Sequence, residues 1–86
     1  MDRIDLLTLF QRIAAEIEAN DFSLVTENDV ITNLGIDSLG LSELVAAMEQ
    51  ELKIQIPEEQ LAGIRTVGQL FELVEKRLDL KSARLS

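Results

Sequence analysis

Apolar side chains recur every three or four residues in three long segments of this 86-residue chain, a spacing typical of amphipathic α-helices. The first segment predicts a helix from about Arg3 to Ala19, and the second predicts one from Ser38 to about Leu52. The third opens at the capping-box pattern Thr66-Val67-Gly68-Gln69 and is expected to end by Asp79. The inward stripes are Leu6, Leu7, Phe10, Ile13, Ala14 and Ile17; then Leu41, Leu44, Val45, Met48 and Leu52; then Val67, Leu70, Phe71, Val74 and Leu78.

The connections between these segments complete the predicted fold. Residues 21–37 are too apolar for a free linker, and Gly35 near their end suits a tight turn. Pro57 is well placed to open a short helix that ends by Gly63. We therefore predict an all-α fold, a small four-helix bundle of three main helices and one short helix with a long first loop. Its domain spans residues 1–79, and residues 80–86 form a flexible C-terminal tail. The expected anchors of the long loop are Phe22, Leu24, Val25, Val30, Ile31 and Leu34.

The composition excludes most catalytic chemistries. The chain has no Cys and no His, so disulfides, thiolate metal sites and a Ser-His-Asp triad are impossible. So short a chain has too little interior for a deep cleft beside a separate core. We expect no metal and no enzymatic activity, and any thiol chemistry requires a cofactor. A small helical hydrolase that uses Ser38 is disfavoured for the same reasons.

The acidic residues are concentrated in the middle of the chain. The net charge is −8 overall, but residues 13–64 hold eleven acids and one base, Lys53, a net of −10. Such a field repels phosphate backbones and attracts basic protein surfaces, so we expect basic protein partners and no nucleic acid. The charged start of the chain lacks the pattern of a signal peptide, and no apolar run is long enough for a membrane span. We expect a cytoplasmic monomer.

One motif carries the functional information. Leu34-Gly35-Ile36-Asp37-Ser38-Leu39 resembles the signature of acyl and peptidyl carrier proteins. The resemblance extends over residues 3–79, so it is more specific than an isolated Asp-Ser-Leu tripeptide. It also includes Val30, Glu43, Glu49-Gln50-Glu51-Leu52, Ile56-Pro57 and Ile64-Arg65-Thr66-Val67.

This resemblance implies a carrier of the acyl carrier protein family, of the stand-alone type. A phosphopantetheinyl transferase would attach 4'-phosphopantetheine from coenzyme A to the Ser38 hydroxyl, with Asp37 and Leu39 beside it. The arm would hold acyl intermediates as thioesters for fatty-acid, polyketide or related specialised biosynthesis. The implied partners are that transferase, an acyl-loading ligase or acyltransferase, and ketosynthases and other acyl-processing enzymes with basic docking surfaces.

The residues agree with this interpretation and leave alternatives open. A serine at a helix N-terminus is exposed and lies where free N–H groups favour a phosphate. Asp37 could cap the helix or meet a base on the transferase. Ser38 could instead be an ordinary helix cap, and the chain an acidic docking module of the same fold that works without an acylated arm. The candidate docking residues are Glu43, Ala46, Glu49 and Gln50. The candidates for lining an acyl chain, which are also expected core residues, are Val45, Met48, Ile56, Leu61 and Ile64.

Two positions depart from the pattern of the fatty-acid carriers that this chain resembles. Gly40 stands where those carriers typically have an acid, and Ala46 stands where they often have Met. Gly40 lies off the apolar stripe of the second helix and is expected to face outward. Glycine in a helix costs about 1 kcal/mol relative to alanine, so the start of this helix is expected to be looser. Both departures favour a dedicated carrier in specialised biosynthesis.

Overall fold

Four α-helices form the part of the protein that the structure describes. The computed structural model describes the backbone of residues 2–85 and the side chains of residues 2–81. Helix α1 spans Arg3–Glu18, α2 spans Ser38–Leu52, α3 spans Glu58–Leu61 and α4 spans Val67–Leu85. A short 3-10 helix, Ile31–Leu34, lies within the first connection. The prediction of an all-α bundle of three main helices and one short helix is confirmed. No helix in this described part of the chain is both long enough and apolar enough to cross a membrane.

The three predicted stripes form most of the core, and Leu9 of α1 and residues of the connections complete it: Phe22, Val25, Ile31, Ile36, Ile54 and Ile56. Phe10 of α1 and Phe71 of α4 are fully buried, and their rings meet edge to face with centroids 5.9 Å apart. Leu44, Val45 and Met48 cover them from α2 in the same cluster. The remaining stripe residues are either buried or half-buried at the margin of this cluster: Leu6, Leu7, Ile13, Ala14, Ile17, Leu41, Leu52, Val67, Leu70, Val74 and Leu78. Helical periodicity therefore identified which face of each main helix is inward.

The first half of the long loop is anchored by fewer residues than the sequence predicted. Phe22 and Val25 are buried, but Leu24 is 92% exposed, so its predicted role as an anchor is wrong. Val25 donates its N–H to the Phe22 carbonyl at 3.2 Å, and the Asp21 carboxylate accepts from the Ser23 N–H at 2.9 Å. These bonds close a tight turn between the two anchors, and the turn directs Leu24 to solvent.

The second half of the loop is joined to the start of α4. The Ile31 N–H donates to the Arg65 carbonyl at 2.8 Å, and the Gly68 N–H donates to the Glu27 carbonyl at 2.9 Å. A Cβ on Gly68 would lie 3.1 Å from that Glu27 oxygen, so glycine permits the close approach. The predicted capping box is confirmed, because Thr66 and Gln69 each accept the other's backbone N–H at 3.1 Å.

Arg3 links three parts of the fold. Its guanidinium pairs with Glu27 in the loop and with Glu75 of α4, the latter at 2.8 Å, and lies 6.0 Å from the centroid of the Phe71 ring. The hydrogen bond from Arg3 lowers the pKa of the Glu75 carboxyl below its usual value. The start of α1 is thereby held against the loop and α4.

Helix α4 continues beyond its expected end. The sequence analysis ends it at Asp79, whereas the helix extends to Leu85, so that boundary is wrong. No Gly or Pro follows Asp79 to stop a helix. Lys81 also donates to the Leu52 carbonyl at 3.0 Å, which places it at the C-terminal end of α2. A flexible tail at residues 80–86 stays a prediction.

Candidate functional site

The predicted turn before α2 is present. Gly35 ends the 3-10 helix with φ +84°, a left-handed conformation that glycine adopts without strain. Ile36 is buried and fixes the segment to the core. Asp37 is then the N-cap of α2, and its Oδ1 accepts from the Gly40 N–H at 2.7 Å. The turn, the buried isoleucine and the cap together set where α2 begins.

Ser38 is the exposed first residue of α2. Because Asp37 provides the side-chain cap, the interpretation of Ser38 as the N-cap is wrong. None of the side-chain hydrogen bonds within residues 2–81 involves its hydroxyl. The first helical bond runs from the Leu41 N–H to the Asp37 carbonyl at 2.8 Å. The N–H groups of Ser38 and Leu39 therefore lie at the positive end of α2 ahead of that bond. Ser38 is thus accessible and has no structural function in the helix cap.

Gly40 differs from its predicted placement on the outward face. It is buried, and a Cβ there would lie 2.5 Å from Glu18 Oε2 and 3.3 Å from Asp37 Oδ1. The carboxylate that ends α1 therefore packs directly against the first turn of α2. An alanine at residue 40 would require the Glu18 side chain to move. Glycine here permits a close approach of two helices, a contact that the sequence pattern did not reveal.

The candidate docking residues are not equivalent. Glu43, Ala46 and Gln50 are exposed on α2, and Leu39 beside Ser38 is 68% exposed. Glu49 is half-buried, and its Oε2 accepts from the Ile56 N–H at 2.7 Å. Glu43 forms no ion pair within the described side chains. The exposed acid is thus available to a basic partner, whereas Glu49 already has a structural contact.

The candidates for lining an acyl chain lie together in the core. Val45, Met48 and Ile56 are buried, and Leu61 and Ile64 are half-buried against the same cluster. They come from α2, from the connection that follows it, and from the end of α3 onward. Their role as core residues is confirmed, and a role in sheltering an acyl chain stays a prediction.

Comparison with known proteins decides the family. The sequence model of the protein family described as the phosphopantetheine attachment site matches residues 5–74. An acyl carrier protein of Clostridium perfringens is 36% identical over 67 residues, which cover 78% of this chain and 88% of that protein. An acyl carrier protein of Saccharopolyspora erythraea is 39% identical over 74 residues, which cover 85% of this chain and 78% of that one. The chain belongs to the acyl carrier protein family.

The fold agrees with that of a solved acyl carrier protein. The crystal structure of the protein from Thermotoga maritima superposes with a TM-score of 0.86 at 34% identity, over 92% of this chain and 93% of that one. Acyl carrier proteins are non-catalytic, and their cofactor is 4'-phosphopantetheine. Membership of the family implies a phosphopantetheinyl transferase and acyl-processing enzymes as partners.

Proposed function

We propose that this acyl carrier protein holds acyl groups as thioesters on a 4'-phosphopantetheine arm attached to Ser38. It would present them to enzymes of fatty-acid, polyketide or related specialised biosynthesis. The observation that carries the proposal is the exposed hydroxyl of Ser38, which caps nothing, in the first turn of α2. That turn lies inside the region matched by the attachment-site model. When bound, the arm supplies the terminal thiol to which the acyl group is joined.

The residues around Ser38 fit a phosphate ester. The Ser38 and Leu39 N–H groups lie at the positive end of α2, where they would hold a phosphate oxygen. Asp37 already uses one carboxylate oxygen to cap the helix, so its side chain keeps the turn in place. Leu39 offers an apolar contact beside the serine to an incoming transferase. The Ser38 hydroxyl would accept the phosphopantetheinyl group from coenzyme A, whose pyrophosphate bond breaks to release adenosine 3',5'-bisphosphate. Asp37 and Leu39 would position the serine.

The partners are expected to approach with basic surfaces. The middle of the chain is strongly acidic, and Glu43 lies exposed on α2 without an ion pair within the described side chains. Charge of one sign on one side of a small protein accelerates its encounter with oppositely charged partners. We therefore assign the transferase, the acyl-loading enzyme and the ketosynthase to the face formed by Glu43, Ala46, Glu49 and Gln50.

The proposed pathway rests on Ala46 of α2, which leaves a small exposed side chain on the docking face. A partner that recognises a larger side chain at this position would find no contact here. Gly40 is buried against Glu18, so it does not bear on this choice of partners. Ala46 therefore favours dedicated partners of a specialised pathway over those of general fatty-acid synthesis.

Intact-mass measurement tests the proposal directly. The purified protein is incubated with coenzyme A, magnesium and a broad-specificity phosphopantetheinyl transferase, and is then weighed. We expect a gain of one phosphopantetheine. If several transferases produce no gain, the protein is better described as an acidic docking module that works without the arm.

Replacing Glu43 by Lys should slow this modification at low ionic strength. The substitution reverses the charge of an exposed acid on the proposed docking face, and steering by such charges is screened at high salt. The rate of mass gain is measured at low and high salt, and the deficit should shrink as salt increases. Glu72→Lys, an equal charge change on the exposed side of α4, is the matched control and should retain nearly the wild-type rate. Equal rates for the two variants at low salt would contradict the assigned face.

A further inference from the structure

We infer that Glu49 couples the docking face of α2 to the connection that leads to α3. Pairing of its carboxylate with a partner's Lys or Arg would weaken the Glu49–Ile56 hydrogen bond and loosen the chain from Ile56 to Leu61. The inference rests on the proposed function, because it assumes that basic partners dock on α2.

Glu49 holds the connection at more than one point. Its side-chain Oε2 accepts from the Ile56 N–H at 2.7 Å, and its backbone carbonyl accepts from the Ile54 N–H at 3.1 Å. The same carbonyl accepts from the N–H of Lys53, the C-cap of α2 with φ +56°. Both isoleucines are buried, at 7% and 6% exposure, and Pro57 follows directly as the N-cap of α3. The position of α3 relative to α2 thus depends on contacts made by Glu49.

The bond to Ile56 differs physically from the bond to Ile54. A carboxylate is a charged acceptor, and hydrogen bonds to charged groups are roughly twice as strong as neutral ones. A cation that pairs with the carboxylate neutralises this advantage, whereas the backbone carbonyl is unaffected. If the Ile56 N–H then loses its acceptor in the core, it must open toward water, because an unpaired buried donor is costly. Docking at Glu49 would therefore act on Ile56 and leave Ile54 in place.

This arrangement lets one residue serve two purposes. Glu49 is half-buried, so the residue is partly exposed to a partner while its Oε2 accepts from the Ile56 N–H. Ile56 packs in the same cluster as Val45, Met48 and Leu61. A partner at Glu49 would therefore alter packing beneath the docking face without contacting the core itself.

Amide hydrogen exchange tests the coupling. In the free protein, Glu49→Ala should accelerate exchange at Ile56 by about tenfold or more, since loss of about 1.4 kcal/mol is a tenfold change in an equilibrium. Glu49→Gln keeps an oxygen acceptor and should cause a smaller increase. Glu43→Gln, which removes an exposed acid of the same helix without this bond, should cause none. Exchange at the Ile54 amide reports the neighbouring hydrogen bond, and exchange at the Val74 amide of α4 reports global opening.

A second experiment measures the effect of a docked partner. A phosphopantetheinyl transferase is added without coenzyme A, so that it binds the protein without modifying it. Exchange at Ile56 should accelerate relative to Ile54 when the transferase is added, and Glu49→Gln should abolish that change. Three results would overturn the inference: Ile56 insensitive to Glu49→Ala, all core amides accelerated equally, or Ile56 slowed on binding. A protein that gains phosphopantetheine but shows one of these results refutes the coupling alone. A protein that gains none refutes the proposed function.

Discussion

A Ser38→Ala variant is expected to gain no phosphopantetheine while it unfolds at the same denaturant concentration as the wild type. The hydroxyl is the only atom group removed, and it caps no helix, because the side-chain cap of α2 is Asp37. Asp37→Ala removes that cap and should lower the free energy of unfolding by about 1 kcal/mol. The two neighbouring substitutions therefore separate modification from stability. Intact mass after treatment with transferase measures the first, and urea unfolding followed by circular dichroism measures the second.

The unfolding measurement shows whether a Ser38→Ala protein that gains no mass is still folded. A Ser38→Ala protein that failed to gain mass because it was unfolded would be detected by its unfolding midpoint. Continued mass gain in Ser38→Ala would show that another hydroxyl is modified, and the proposal for Ser38 would be wrong. A loss of stability in Ser38→Ala as large as that in Asp37→Ala would instead identify the serine as a helix cap.

Helical periodicity was sufficient to predict the main helices. The stripe residues of α2 and α4 lie at 3.6-residue spacing, and burial of one face is what stabilises short helices in a small domain. Local chemistry also predicted the capping box of Thr66 and Gln69, because both partners lie within four residues of each other. The inward faces of the main helices and this capping box were therefore predictable.

Other features did not follow from the apolar pattern. Leu24 is apolar yet exposed, because hydrogen bonds within its own turn determine its direction. Gly40 is buried by Glu18, which comes from another helix, and helical periodicity contains no information about that contact. The hydrogen bond between Glu49 and Ile56 crosses a turn whose geometry depends on the left-handed conformation of Lys53. Lysine seldom adopts that conformation, so the sequence did not predict the turn.

The candidate site was predicted more completely than its surroundings. The turn at Gly35, the cap at Asp37 and the exposed serine all follow from one contiguous motif. The docking face is spread over α2, and its members differ because each meets different neighbours from elsewhere in the fold. Glu43 is solvent-exposed, whereas Glu49 is a hydrogen-bond acceptor for the backbone of Ile56. Equal spacing on a helix therefore does not imply equal availability to a partner.

Replacing Phe71 by Ala should remove a large part of the stability of the protein. The side chain is fully buried, its ring meets Phe10 edge to face, and the guanidinium of Arg3 lies over it. Phe→Ala substitutions in a core typically cost about 3–5 kcal/mol, and small domains have only about 5–15 kcal/mol in total. Urea unfolding followed by far-ultraviolet circular dichroism should show a midpoint far below that of the wild type, or no folded baseline.

Two further variants serve as controls for the loss of stability expected in Phe71→Ala. Leu24→Ala removes an apolar side chain that is 92% exposed, so its effect should stay within about 0.5 kcal/mol. Phe71→Leu retains much of the buried volume but loses the aromatic pair with Phe10, a contribution of about 0.5–1.5 kcal/mol beyond burial, and should fall between the other two. Because α4 supplies Phe71 and α1 supplies Phe10, this order of stabilities would locate the centre of the core between these helices. A Phe71→Ala protein as stable as Leu24→Ala would contradict that packing.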